Sequence, residues 1–134
     1  MADRTARFLD LSARLTGWSV FDLRATGMAE AYVAAADARL PPGLLDGLLA
    51  AGGDDDAIMD DARLGPLART LILLWYTGSW TVVPGVPATS KPPAGVISPA
   101  AYQAGLMWRA AGAHPAGAEP QGYAAWALEP EPSP

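Results

Sequence analysis

Histidine, cysteine and clustered carboxylates are the side chains through which a chain usually does acid–base, nucleophilic or metal chemistry, and here they are scarce or wrongly spaced. The single histidine, His114, stands between Ala113 and Pro115. It falls at the end of a predicted helix, where a cation also suits the helix dipole, so it reads as a surface or capping residue. No GxSxG elbow or comparable nucleophile signature accompanies it. The acidic run Asp54, Asp55, Asp56, Asp60 and Asp61 invites comparison with a calcium loop. A loop opening at Asp54 would need an oxygen ligand at its fifth position and glycine at its sixth, where Ile58 and Met59 stand. The acids therefore read as a helix N-terminus followed by a solvated turn. Without cysteine there is no thiolate metal site, no disulfide framework and no thiol nucleophile. The glycines near Gly52 and Gly112 lack both the preceding strand and the spacing of a phosphate cradle. No catalytic, cofactor-binding or metal-ligating residue is assigned, and no cofactor is expected in this chain.

Composition narrows the partners. The net charge is -5 and Lys91 is the one lysine, whereas phosphate binding needs clustered Lys and Arg, so nucleic acid is excluded. At 134 residues with 51% hydrophobic content, the chain is long enough to bury a real core. Its first twenty residues alternate charged with apolar positions and hold neither an apolar run of signal-peptide length nor an adjacent arginine pair, so no export signal is expected.

The core must form around Leu71 to Trp80, LILLWYTGSW, the densest apolar and aromatic stretch. Pro66 near its start and Gly78 near its end predict a buried helix over Pro66–Tyr76, covered on most of its circumference because little polar surface follows Arg69 and Thr70. Its unbroken apolar run before Gly78, Leu71 to Tyr76, is far short of the roughly 20 residues that cross a bilayer, so no membrane span is expected. Phe8, Leu11 and Leu15 recur at helical spacing opposite Arg4, Arg7, Asp10 and Arg14, predicting an amphipathic helix over 3–16 that Gly17 ends, with Asp3–Arg7 and Asp10–Arg14 as i,i+4 pairs. A second helix is expected from Asp22 or Leu23 to Asp37, and a short third through Leu44, Leu45, Leu48 and Leu49 after Pro41 and Pro42.

Beyond Gly78, the residues Trp80, Val82 and Val83 suit a short strand, Pro84 to Gly95 a proline-rich loop, and Val96 and Ile97 a matching strand. Ser98 and Pro99 give a cap and a first turn for a helix reaching about Ala111, with Tyr102 and Leu106 on one face and Met107 and Trp108 beside it. The expected architecture is thus all-α: about five helices over 1–114, a proline-rich loop, and an extended tail over 115–134 that wraps a partner, since Tyr123, Trp126 and Leu128 are its only large apolar groups. One domain of this size rarely needs five tryptophans for its own core. Trp18, Trp80, Trp108, Tyr123 and Trp126 are the candidate partner-interface residues, exposed aromatics being typical interface anchors. The alternative is that each packs inside its own bundle.

Four blocks carry a resemblance. Phe8 to Gly17 (FLDLSARLTG), Trp75 to Gly78 (WYTG), Tyr102 to Trp108 (YQAGLMW), and Trp126 with Pro130 resemble, in order and spacing, blocks of the small subunit of bacterial flavin-dependent sugar and sugar-alcohol dehydrogenase complexes, such as sorbitol, fructose, glucose and glucoside 3-dehydrogenases. In that light Phe8, Leu11, Leu15, Trp75, Tyr76, Gly78, Tyr102, Leu106 and Met107 are the core and signature positions. The resemblance implies a helical, non-catalytic subunit that binds a large glucose-methanol-choline type flavoprotein, helps it mature and accompanies it in export to the periplasm. It places the FAD in that partner, and a cytochrome c subunit can belong to the same complex. Members commonly carry a twin-arginine signal and a C-terminal cysteine; this chain shows neither, so attachment here would be non-covalent. The alternative function is an independent small enzyme.

Overall fold

A computed structural model describes residues 3–51, 54–87 and 94–113. Among them the chain forms eight helices and one two-stranded ribbon, an all-α architecture. The first helix, α1 (Arg4–Thr16), is capped by Asp3, whose carboxylate accepts from the Ala6 N–H at 2.6 Å, and it ends at Gly17 in the left-handed conformation, both where local signals put them. The expected second helix is instead two, α2 (Val20–Ala25) and α3 (Ala29–Arg39). Gly27, at φ +74°, turns the chain between them. After α4 (Leu44–Ala50), Asp54 caps a further short helix, α5 (Asp55–Asp60), by accepting from the Ala57 N–H.

The central helix α6 (Leu64–Thr77) starts two residues before the expected Pro66, which falls in the first turn where its missing N–H costs nothing. Asp61 starts it, accepting from the N–H groups of Arg63 and Leu64 at 2.8 Å each. Gly65 lies so close to α5 that a Cβ there would overlap the Met59 carbonyl. Leu67, Ala68, Leu71, Leu74 and Trp75 are buried, and so, against the expectation of an outward polar face, is Thr70. The outward strip holds Arg69 and, at 45% exposure, Leu73. Among the described residues no helix is long and apolar enough to cross a membrane.

The strands are only β1 (Ser79–Trp80) and β2 (Gly95–Val96), antiparallel, with Ser79 opposite Val96. The last expected helix also splits, into α7 (Pro99–Ala104), capped by the Ser98 hydroxyl, and α8 (Leu106–Ala111).

The core forms where α1 and α3 pack on α6. Phe8 stacks on Trp75 with ring centres 6.0 Å apart, and Tyr32 meets the same indole edge-on at 4.8 Å. Fully burying a large apolar side chain stabilises by about 1.5–3 kcal/mol, and Phe8, Leu11, Leu48, Leu67, Leu71, Leu74 and Leu106 are all within 2% of complete burial. Leu15 is only half-buried and packs at the core's margin. The ion pairs are tertiary, not the expected i,i+4 ones. Arg4 binds Asp37 of α3 through both its terminal nitrogens and Asp46 of α4 through Nε at 2.7 Å, while Arg14 faces Asp55 at 3.7 Å. Asp3, expected to pair with Arg7, is occupied in capping.

Candidate partner interface

The surface in question is built where α1 ends, α6 ends and α7 meets α8. Gly17 reverses the chain after α1, its N–H bonding to the Ala13 carbonyl at 2.9 Å, and this throws Trp18 back across the fold. The Trp18 indole N–H donates to the Tyr76 hydroxyl at 3.1 Å, fastening the start of the chain to the last turn of α6. The guanidinium of Arg109 from α8 lies over the Trp18 ring, 5.0 Å from the ring centre. Arg109 also stands 3.9 Å from the Asp22 carboxylate, a loose and exposed pair that leaves its donors largely available.

Two glycines let the elements come this close. The Gly78 carbonyl accepts from the Ile97 N–H at 2.9 Å, and a Cβ on Gly78 would lie 2.8 Å from the Tyr102 amide nitrogen and nearer still to the Ala101 carbonyl. Reciprocally, a Cβ on Gly105 would lie 2.6 Å from the Tyr76 carbonyl oxygen. This contact accounts for the break between α7 and α8: Gly105 leaves helical conformation, at ψ 129°, and passes its bare backbone against the end of α6. Trp108 then folds back on α7, its indole N–H donating to the Tyr102 carbonyl at 2.9 Å and its ring meeting the Tyr102 ring edge-on at 5.6 Å.

Gly17 with Trp18, the WYTG segment and the YQAGLMW segment are thus brought together. Trp18, Tyr76, Tyr102, Met107 and Trp108 are all half-buried there, each with one face packed inward and part of its surface open. Trp80 is different: at 3% exposure it is part of the chain's own core, because β1 turns it inward, and it is corrected from interface to core. Phe8, Leu11, Trp75 and Leu106 are buried as core residues, and Gly78 is buried as a contact point. Tyr123 and Trp126 lie outside the described residues, as do Lys91, His114 and the whole tail over 115–134. The side chains that sequence reasoning missed are Phe21, 78% exposed on α2, and Arg109 with its partner Asp22. Phe21 carries no local signal that separates it from a core phenylalanine; only the brevity of α2, which buries Leu23 alone, exposes it.

Among the described residues, no group of three metal-ligating side chains converges. Of the acidic run, Asp54 and Asp61 are spent on backbone, each holding a helix start, Asp55 faces Arg14, and the two N–H groups on Asp61 keep its carboxyl below the usual range. What the assembled surface offers is aromatic area, one poised guanidinium and a carboxylate beside it, the composition of a protein-binding patch. No protein-family model, curated protein or solved structure matches the chain.

Proposed function

We propose that this chain is a non-catalytic accessory subunit that binds, stabilises and helps mature a large FAD-dependent flavoprotein of the glucose-methanol-choline type, one that oxidises a sugar or glycoside. The flavin belongs to that partner, with a cytochrome c subunit as a further member of the complex. The observation that supports the reading is two half-buried aromatic pairs, Trp18–Tyr76 with Arg109 over the Trp18 ring, and Tyr102–Trp108, drawn from two of the four blocks that resemble such subunits and, in Trp18, from the residue directly after a third. Half-buried aromatics beside arginine make effective anchors, since they bury large area at small entropic cost. In this role the chain contributes binding energy to the partner's folded state and raises its stability by mass action.

The test is co-expression with a large flavoprotein encoded in the same gene cluster. The expected result is a co-purifying complex whose flavoprotein carries FAD only when this chain is present, while the isolated chain shows no flavin absorbance and no turnover with a dye acceptor. Trp18→Ala and Trp108→Ala are each expected to weaken the complex by at least tenfold, the ordinary cost of losing an anchor. Flavin absorbance or dye turnover by the isolated chain would instead support an independent small enzyme.

A further inference from the structure

Arg109 brings a guanidinium with five N–H donors to the aromatic surface, and its side chain is 56% exposed. The carboxylate beside it, on Asp22, is 3.9 Å from Nη2, beyond hydrogen-bond reach. Asp22 stops short for a structural reason. Its side chain is short, and α2 is held where it is by the Ser19 hydroxyl, which accepts from the Asp22 N–H at 3.0 Å, and by buried Leu23. Nor does Asp22 depend on the pair. It stands in the first turn of α2, where a negative charge is favoured whether or not a cation is near, so releasing Arg109 costs it little.

Covering this surface changes the balance. A protein that closes over the Trp18 ring also closes over the guanidinium lying on it. Charged donors taken out of water without an acceptor cost more than a loose, exposed ion pair contributes, so the covering surface must supply an acceptor of its own. The local charge says which kind. One guanidinium already opposed by one carboxylate, in a chain of net charge -5, repels a polyanion such as a nucleic acid or an anionic lipid surface. A single carboxylate matches the arginine fork in both charge and shape. Phe21, the residue before Asp22 and 78% exposed, adds an apolar anchor to the same helix.

We propose, resting on the accessory-subunit reading, that the partner presents an aspartate or glutamate carboxylate that binds Arg109 across the interface and displaces Asp22, with an apolar hollow beside it for Phe21. Trp18 holds the guanidinium in place for that carboxylate. Asp22 is its stand-in, offsetting the charge while the surface is open and yielding when the partner arrives.

The experiment uses the complex of a tagged wild-type chain with the co-expressed flavoprotein, from which untagged variants compete the tagged chain away. Arg109→Gln is expected to compete about tenfold less well than untagged wild type or worse, and Arg109→Lys, which keeps the charge but loses the fork, to fall between. Asp22→Asn is expected to compete about two- to fivefold better, because the internal rival is gone. That advantage should vanish when Arg109→Gln is added, since the two changes act on one bond. An Asp22→Asn chain that competes no better than wild type overturns the proposal, and one that competes worse makes Asp22 the acceptor instead. Arg109→Gln competing like wild type overturns it too; if Trp18→Ala still weakens the same complex, the accessory-subunit reading stands without it. Failure of the wild-type chain to form any complex removes both.

Discussion

Trp75 is the residue on which most of the interior converges, with Phe8 on one face and Tyr32 against another. Trp75→Ala is therefore expected to cost about 3–5 kcal/mol in urea unfolding, because the surrounding helices cannot collapse into the space it leaves. An unchanged midpoint would mean that the ring does not fill the core. The charged residues predict a pH profile. The guanidinium of Arg4 hydrogen-bonds Asp37 and holds its carboxyl below the usual range, as the backbone N–H groups do for Asp61. A carboxyl lowered in the folded state contributes stability above its unfolded pKa of about 3.9 and loses it as pH falls through the folded value. Tyr32 works the other way: raised from 10.0 to about 12, it stabilises fully below its unfolded pKa, and that contribution is lost between pH 10 and 12. Thermal melts across pH should show a plateau falling at both ends. Asp37→Asn is expected to soften the acid limb and Tyr32→Phe the alkaline one; limbs that both variants leave untouched would place the responsible groups elsewhere.

At the scale of elements, the glycines separate what a sequence can say from what it cannot. Gly17 and Gly78 end helices by adopting positive φ, and Ser98 with Pro99 starts one, all legible because the cause lies within a few residues. The breaks at Gly27 and Gly105 were not legible. A glycine inside a helical pattern costs only about 1 kcal/mol, too little to announce a break. At Gly105 the deciding partner is the Tyr76 carbonyl, far away in the chain. Trp80 and Arg14 escaped for the same reason, one drawn into the core by a two-residue ribbon and the other drawn to Asp55 rather than Asp10. A graded series tests this account. Gly17→Ala meets nothing within 4 Å and should lose only the left-handed strain, about 1–2 kcal/mol. Gly105→Ala has an ordinary φ of -54° and should lose about 1–3 kcal/mol from crowding alone. Gly78→Ala suffers both and should lose most, about 2–4 kcal/mol. Equal losses at Gly17 and Gly78 would remove the close approach from the explanation.

Taken whole, the molecule leaves Phe21, Leu73, Val82 and Val96 exposed at 45–78%, in addition to the half-buried aromatics around Trp18. The chain expressed alone is expected to self-associate and to become monodisperse with the proposed partner; a monodisperse isolated monomer at high concentration would count against an uncovered interface. Deleting residues 115–134 is expected to leave the melting of the isolated chain nearly unchanged while weakening the complex, with Trp126→Ala accounting for much of the loss. Unfolding on truncation with full partner affinity would assign the tail to the chain's own core instead. The Trp18–Tyr76 bond joins residues 58 apart, and Phe8 reaches farther still along the chain, to Trp75. During synthesis at about 5–20 residues per second, α1 therefore waits on the order of 3–12 s before the helix it packs against exists. For that interval the part of its apolar side that Trp75 covers, Phe8 included, has only the partial cover of α2, α3 and α4. The first helix made is thus completed only late, when the end of α6 arrives to close over Phe8.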